Sequence, residues 1–122
     1  MKAKILIIDD EMSILKLLRH YLSEFYEVTI VSDGLEAFSW MQQGNIPALI
    51  VADIQMPNID GNEFLKQVKL SNIFSKIPVI MLSSLDTSNE RVKFLKNGAR
   101  DYLVKPFNPE ELHLRIKNIL EP

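Results

Sequence analysis

Three short apolar runs constrain the fold more than any other feature of this sequence. They are AKILIID (residues 3–9), ALIVAD (48–53) and IPVIMLSS (77–84), and none of them alternates polar with apolar residues. Strands that are covered on both faces have this pattern, because the side chains on both faces are buried. Two weaker strands are predicted at EVTIVS (27–32) and DYLVK (101–105). Together the five runs predict a parallel sheet with helices on both sides.

Helical patterns lie between and after the predicted strands. Apolar residues three and four apart predict an amphipathic helix over residues 12–25. The segment 86–98, DTSNERVKFLKNG, predicts a helix with a polar first turn that ends at Gly98. Residues that commonly begin or end helices mark the other three patterns: the N-caps Asp33, Asp60 and Asn108, the stop signal Gly44, and Pro109 at the start of the last helix.

The repeated order of strand and helix predicts an α/β fold, a (βα)5 doubly wound parallel sheet of five strands with right-handed crossovers. A length of 122 residues suits one domain, and no repeat, linker or low-complexity segment divides it, so we predict one domain over residues 1–122. There is no cysteine, which excludes disulfides and thiolate chemistry.

Charge and hydropathy narrow the expected location and partners. The net charge of -2 does not favour direct binding to nucleic acid. The apolar runs are too short to span a bilayer, and no signal-peptide pattern follows Met1. We therefore expect a soluble cytoplasmic protein with no membrane contact.

Acidic residues end two of the strongest predicted strands. Asp9 and Asp10 end the first, Asp53 ends the third, Ser83 lies at the end of the fourth and Lys105 at the end of the fifth. In an open α/β sheet the carboxyl ends of the strands meet at one edge, where ligands bind. Burying adjacent acids is costly unless a positive charge compensates them. Oxygen ligands suit a hard cation, so the sequence predicts a Mg²⁺ site, with Mn²⁺ as the alternative.

The charge balance of this edge favours phosphoryl transfer. A divalent cation among three carboxylates leaves about one negative charge, which Lys105 balances. A phosphoryl group would meet a cation, an amine and a hydroxyl there, and phosphoryl transfer depends mainly on such positioning and neutralisation. The nucleophile would be a carboxylate, which forms an aspartyl-phosphate. The alternative is that Asp9 and Asp10 only cap the following helix, whose N-terminus favours anions.

Four motifs carry a family resemblance: ILIIDDE, VADIQMPNIDG, VIMLSS and GARDYLVKPF. Each is weak alone, but in this order and spacing they resemble the receiver domain of two-component response regulators over essentially the whole chain. The resemblance implies a flavodoxin-like fold with strand order 2-1-3-4-5. It also implies a signalling switch that accepts a phosphoryl group from a sensor histidine kinase or a phosphotransfer protein. Such a domain promotes only its own phosphorylation and dephosphorylation and is not a turnover enzyme.

The resemblance assigns metal and acceptor roles by position. Asp53 corresponds to the phospho-acceptor and Asp10 to the direct metal ligand. Asp9 corresponds to the acid that acts mostly through metal-bound water. The backbone carbonyl of Gln55 would be a further metal ligand.

The resemblance also assigns the switch residues. Ser83 corresponds to the hydroxyl that moves toward the phosphoryl group, and Lys105 to the amine that pairs with that group. The bond from Lys105 to Pro106 is expected to be cis. Tyr102 corresponds to the aromatic residue that turns inward on activation.

Three neighbouring positions bear on the reaction rate. Ser84 departs from the alanine that the family often has, and its larger side chain would crowd the phosphoryl site. Gln55 and Leu85 occupy positions that vary in the family, where they would shield the attacking water.

Three other functions fit parts of the pattern less well. A receiver-like module that no longer uses phosphate would lack an acid or the lysine, and all are present. A flavin-binding electron carrier would need a phosphate-cradling loop where this chain reads DDEMS. A Mg²⁺-dependent phosphatase with an aspartate nucleophile would need a second acid two residues later, where Gln55 stands.

Four charged residues raise the hypothesis of a homodimer. Receivers of the DNA-binding type dimerise through the face made by the fourth helix, fifth strand and fifth helix, and this face would change on phosphorylation to control a partner or an attached effector. Arg91, Asp101, Glu111 and Arg115 match positions of that pattern. The alternative is that Glu111 and Arg115, four residues apart, pair within their own helix.

Overall fold

The structure is a computed structural model that describes residues 1–84 and 87–122. Within these ranges strands and helices alternate along the chain. The strands are β1 Lys4–Ile8, β2 Glu27–Val31, β3 Leu49–Asp53, β4 Val79–Ser83 and β5 Asp101–Val104. The helices are α1 Met12–Leu22, α2 Gly34–Gln42, α3 Gly61–Leu70, α4 Ser88–Lys96 and α5 Pro109–Leu120. None of the helices in these ranges is both long enough and apolar enough to cross a bilayer.

The five strands form one sheet with the order β2-β1-β3-β4-β5, and the paired strands are parallel. The predicted fold and strand order are therefore confirmed. The order changes direction between β1 and β3, where Ile8 lies opposite Ala52. A crevice opens beyond the carboxyl ends of the strands at such a point, and the next residues are Asp9 and Asp53.

The core consists of two apolar layers, one on each face of the sheet. Leu6 and Ile8 of β1 belong to one layer, while Ile5 and Ile7 belong to the other. All residues of β3 and β4 are buried, whereas the edge strand β2 is mostly half-exposed. Burial on both faces explains why the three strongest runs are apolar without alternation.

Helix N-termini follow the predicted capping chemistry. The carboxylates of Asp33 and Asp60 each accept a hydrogen bond at 2.8 Å from a backbone N–H three residues later. The Asn108 side chain accepts one at 2.9 Å, and Pro109 is the first residue of α5. Thr87 caps α4, which begins at Ser88, so the predicted start at residue 86 lies outside the described residues.

The end of the first helix was predicted wrongly. The apolar spacing continues to Phe25, but α1 ends at Leu22. The N–H groups of Phe25 and Tyr26 both donate to the Leu22 carbonyl at 2.9 Å, which turns the chain toward β2. The Phe25 side chain is left 40% exposed. The spacing extended the helix because the pattern does not register where the chain must turn.

Candidate functional site

Three carboxylates meet beyond the ends of β1 and β3. One oxygen from each of Asp9, Asp10 and Asp53 lies within 4.8 Å of the others. Asp9 is fully buried, Asp53 is 6% exposed and Asp10 is exposed. Carboxylate oxygens at this spacing are the ligands that a hard divalent cation prefers, so the donor set fits the predicted Mg²⁺.

Lys105 compensates these acids from the end of β5. Its Nζ lies 2.7 Å from Asp9 Oδ2 and 3.4 Å from Asp53 Oδ1. The other oxygen of Asp9 accepts the Glu11 N–H at 3.0 Å. Both oxygens of Asp9 are therefore engaged within the chain. The bond between Lys105 and Pro106 is cis, as predicted.

The protonation of the site follows from burial and charge. Burial raises the pKa of Asp53 to about 6, and the Asp9 carboxylate raises it as well, while Lys105 lowers it. Burial alone lowers the pKa of Lys105, but the hydrogen bond to Asp9 and the charge of Asp53 raise it more, so it rises overall. At neutral pH the Asp53 carboxylate is therefore mostly ionised and Lys105 is a cation.

A cavity of 230 Å³ opens at the carboxylates, and we call it the acid cavity. Its lining consists of Asp10, Glu11, Asp53, Ile54, Gln55, Ser83, Ser84 and Lys105. A water occupies about 30 Å³ in the liquid, so this volume accommodates a phosphoryl group or several waters. Ser83 is buried at the end of β4, whereas Gln55 and Ser84 are exposed. Asp9 is not among the residues that line this cavity, and Leu85 is outside the described residues.

Tyr102 lies apart from this cavity. Its ring is 4% exposed and its centroid is 6.0 Å from that of Phe94. The guanidinium carbon of Arg91 lies 5.8 Å from the ring centroid. The ring therefore occupies an inward position in this structure, and it lines a separate cavity beside Asp101 and Arg115.

Gly61 packs against the backbone of the Asp53 segment, a role that sequence reasoning did not assign. Its N–H donates to the Ile54 carbonyl at 2.7 Å. A Cβ at this position would lie 2.6 Å from Ile54 Cα and 2.7 Å from the Asp53 carbonyl oxygen. The signal in the sequence was a glycine directly after an N-cap aspartate, where a side chain would collide with the acid-bearing segment.

Three of the four charged residues on the face formed by α4, β5 and α5 pair with one another within the chain. The Arg115 Nη1 atom lies 2.8 and 3.0 Å from the two carboxylate oxygens of Asp101. Its Nη2 lies 3.3 Å from Glu111 Oε2, which confirms the alternative that these two residues pair along α5. The homodimer stays a prediction.

Comparison with known proteins assigns the family. The family model described as the response regulator receiver domain matches residues 5–117. The chain belongs to this family. Receiver domains of this family are signalling domains of two-component response regulators.

Relatives and solved structures agree with this assignment. The receiver is 42% identical over 120 residues to the probable transcriptional regulator ycf27 of Cyanophora paradoxa, covering 98% of the chain and 48% of that protein. It is 40% identical over 121 residues to the alkaline phosphatase synthesis transcriptional regulatory protein PhoP of Bacillus subtilis (strain 168), covering 98% and 49%. The chain thus spans about half the length of these relatives. The chemotaxis response regulator CheY4 of Vibrio cholerae superposes with a TM-score of 0.91 at 33% identity, covering 98% of this chain and 99% of that one.

Proposed function

We propose that this receiver domain accepts one phosphoryl group on Asp53 from a sensor histidine kinase or a phosphotransfer protein, in a reaction that requires Mg²⁺. The observation that carries the proposal is the position of Asp53. It is a nearly buried carboxylate 3.4 Å from the Lys105 amine and clustered with Asp9 and Asp10. A purely structural ion pair between Lys105 and the buried acids would not need a third acid. The exposed Asp10, which also lines the cavity, therefore favours a binding site.

The residues of the site divide the work of the transfer. An oxygen of Asp53 attacks phosphorus while the bond from phosphorus to the donor breaks. Asp10, Asp53 and the Gln55 backbone carbonyl would hold Mg²⁺, with Asp9 acting through water, and the bound ion would supply positive charge to neutralise the phosphoryl oxygens. Lys105 holds a second positive charge beside them, because Asp9 fixes its amine at 2.7 Å. The domain thus promotes its own phosphorylation and dephosphorylation and does not turn over an external substrate.

The proposed output is a change of the surface formed by α4, β5 and α5. Ser83 lines the acid cavity, which supports a role for its hydroxyl in bonding a phosphoryl oxygen. Among the described residues of α4 only Phe94 is buried, and Phe94 packs against Tyr102. An element held by so few buried side chains is suited to shift between two positions. We assign this function to one domain over residues 1–122, and the cytoplasmic location stays a prediction.

Phosphorylation by a small donor tests the proposal. With acetyl phosphate and Mg²⁺ we expect intact-mass spectrometry to show the addition of one phosphoryl group. Asp53→Asn should abolish it, and chelation of the metal should stop it. Asp60→Asn is the matched control, because Asp60 is an exposed N-cap in the same loop and asparagine caps equally well. Labelling of Asp53→Asn at the wild-type rate would refute the assignment.

A further inference from the structure

A second cavity adjoins the acid cavity. It measures 390 Å³, within the range of small-molecule sites. Glu11, Ser84 and Lys105 line both cavities and therefore form a shared wall between them. A molecule whose phosphoryl group enters the acid cavity would therefore have the second cavity beside it.

The second cavity is apolar, in contrast to the first. The rest of its lining comes from α1, from the segment after β5 and from the start of α5: Ile14, Leu17, Leu18, Pro106, Phe107 and Pro109. Leu17 is 55% exposed although it lies on a helix with an apolar inner face. Such a cavity favours a hydrocarbon group, because burying apolar surface removes it from water.

We propose that this apolar cavity is a leaving-group subsite that selects small phosphodonors of the acyl phosphate class with an extended hydrocarbon chain. The inference rests on the proposed function, since the donor's phosphoryl group must reach Asp53. The bond that forms joins an Asp53 oxygen to phosphorus, and the bond that breaks joins phosphorus to the acyl oxygen. The electron pair leaves with that oxygen as a carboxylate, so the transfer needs no proton and no redox partner.

The charges at the shared wall suit this exchange. Lys105 is a cation beside the position where the donor's anionic end must pass, and it is held there by Asp9. Glu11 is exposed, so solvent screens its repulsion of both the anionic donor and the carboxylate product. Ser84 is the one uncharged residue of the three that line both cavities.

The rate of labelling with donors of different chain length tests the proposal. Full burial of one methylene strengthens binding about fourfold. Butyryl phosphate has two more methylenes than acetyl phosphate, and partial burial in an open cavity should make its labelling of Asp53 about fivefold faster at low donor concentration. Intact-mass spectrometry with Mg²⁺ measures both rates.

Two matched variants separate the cavity from general reactivity. Leu17→Ser should bring the ratio of butyryl to acetyl rates close to one, because it makes the cavity wall polar. Leu35→Ser is the control, since Leu35 is also an exposed helical leucine, 53% exposed, but lines a different cavity. The ratio of the two donors in each protein cancels effects on folding or on acceptor reactivity.

The outcomes distinguish this inference from the function on which it rests. A higher rate with butyryl phosphate that is lost in Leu17→Ser and kept in Leu35→Ser supports the subsite. Equal rates in the wild-type protein, or a ratio that Leu17→Ser leaves unchanged, would overturn it, including the case in which only a protein partner occupies the cavity. Absence of Asp53 labelling by either donor would instead overturn the proposed function.

Discussion

Replacing Asp53 with asparagine should stabilise the metal-free protein. The Asp53 side chain is nearly buried, and its pKa rises from 3.8 to about 6 because burial and the Asp9 carboxylate disfavour its charge. A rise of this size corresponds to roughly 3 kcal/mol of lost free energy of unfolding at neutral pH. Asparagine keeps the shape without the charge, and Lys105 keeps its contact with Asp9 at 2.7 Å.

The pH dependence of this gain follows from the direction of the pKa change. Because the folded-state pKa lies above the unfolded one, protonation of Asp53 stabilises the fold. That contribution is complete below about 3.8 and is lost as the pH rises through about 6. The advantage of Asp53→Asn should therefore be largest at pH 7 and about half as large at pH 5.

Urea unfolding in the presence of a chelator measures this effect at both pH values. In a thermal scan at pH 7 with the same chelator, the increase in Tm should be about 10 °C. Asp60→Asn serves as the control and should change the free energy of unfolding by less than about 0.5 kcal/mol. The reasoning fails if Asp53→Asn is no more stable than wild type at pH 7, or if its advantage is equal at pH 5.

Three further predictions use other parts of the structure. Millimolar Mg²⁺ should raise the Tm in a thermal scan, because the ion binds only the folded state. Asp10→Ala should remove this effect, and without metal it should relieve the repulsion among the acids. A metal-free Asp10→Ala protein that is clearly less stable than the metal-free wild type would contradict this reasoning. Gly61→Ala should lower the free energy of unfolding, measured in urea, by about 1–3 kcal/mol, because the alanine Cβ would collide with backbone atoms. Unchanged stability would show that the loop relaxes. The hypothesised homodimer should tighten with beryllofluoride, a phosphoryl mimic, when Arg115 exchanges its bond to Asp101 for one across the interface. Sedimentation at high protein concentration measures this, and a result that shows only monomer with and without beryllofluoride would discard the dimer.

The sheet and the helix starts could be predicted because their causes are local. A strand that is buried on both faces has a continuous apolar run in its sequence. A helix N-cap requires one side chain within three residues of the N–H group that it accepts from. The end of α1 could not be predicted in this way. Its apolar spacing continues to Phe25, while the turn that stops the helix at Leu22 serves the entry into β2.

The meeting of the acids and the lysine at one edge of the sheet could be predicted, but which of them pair could not. Strand topology brings acids and lysine to one edge, as expected. Which acid binds the lysine depends on side-chain geometry, and Lys105 lies closer to the fully buried Asp9 than to Asp53. The inward position of Tyr102 depends on its contact with Phe94, a neighbour that spacing along the strand does not reveal.

The bond between Asp9 and Lys105 joins residues 96 positions apart, and this has a consequence for how the protein matures. Contacts of such long sequence separation close late, because a long loop must lose its freedom first. During synthesis the three acids precede in the chain the cation that compensates them. A nascent chain that stops before β5 therefore carries these carboxylates without their lysine, and we expect the proposed phosphoryl site to be complete only once β5 has joined the sheet.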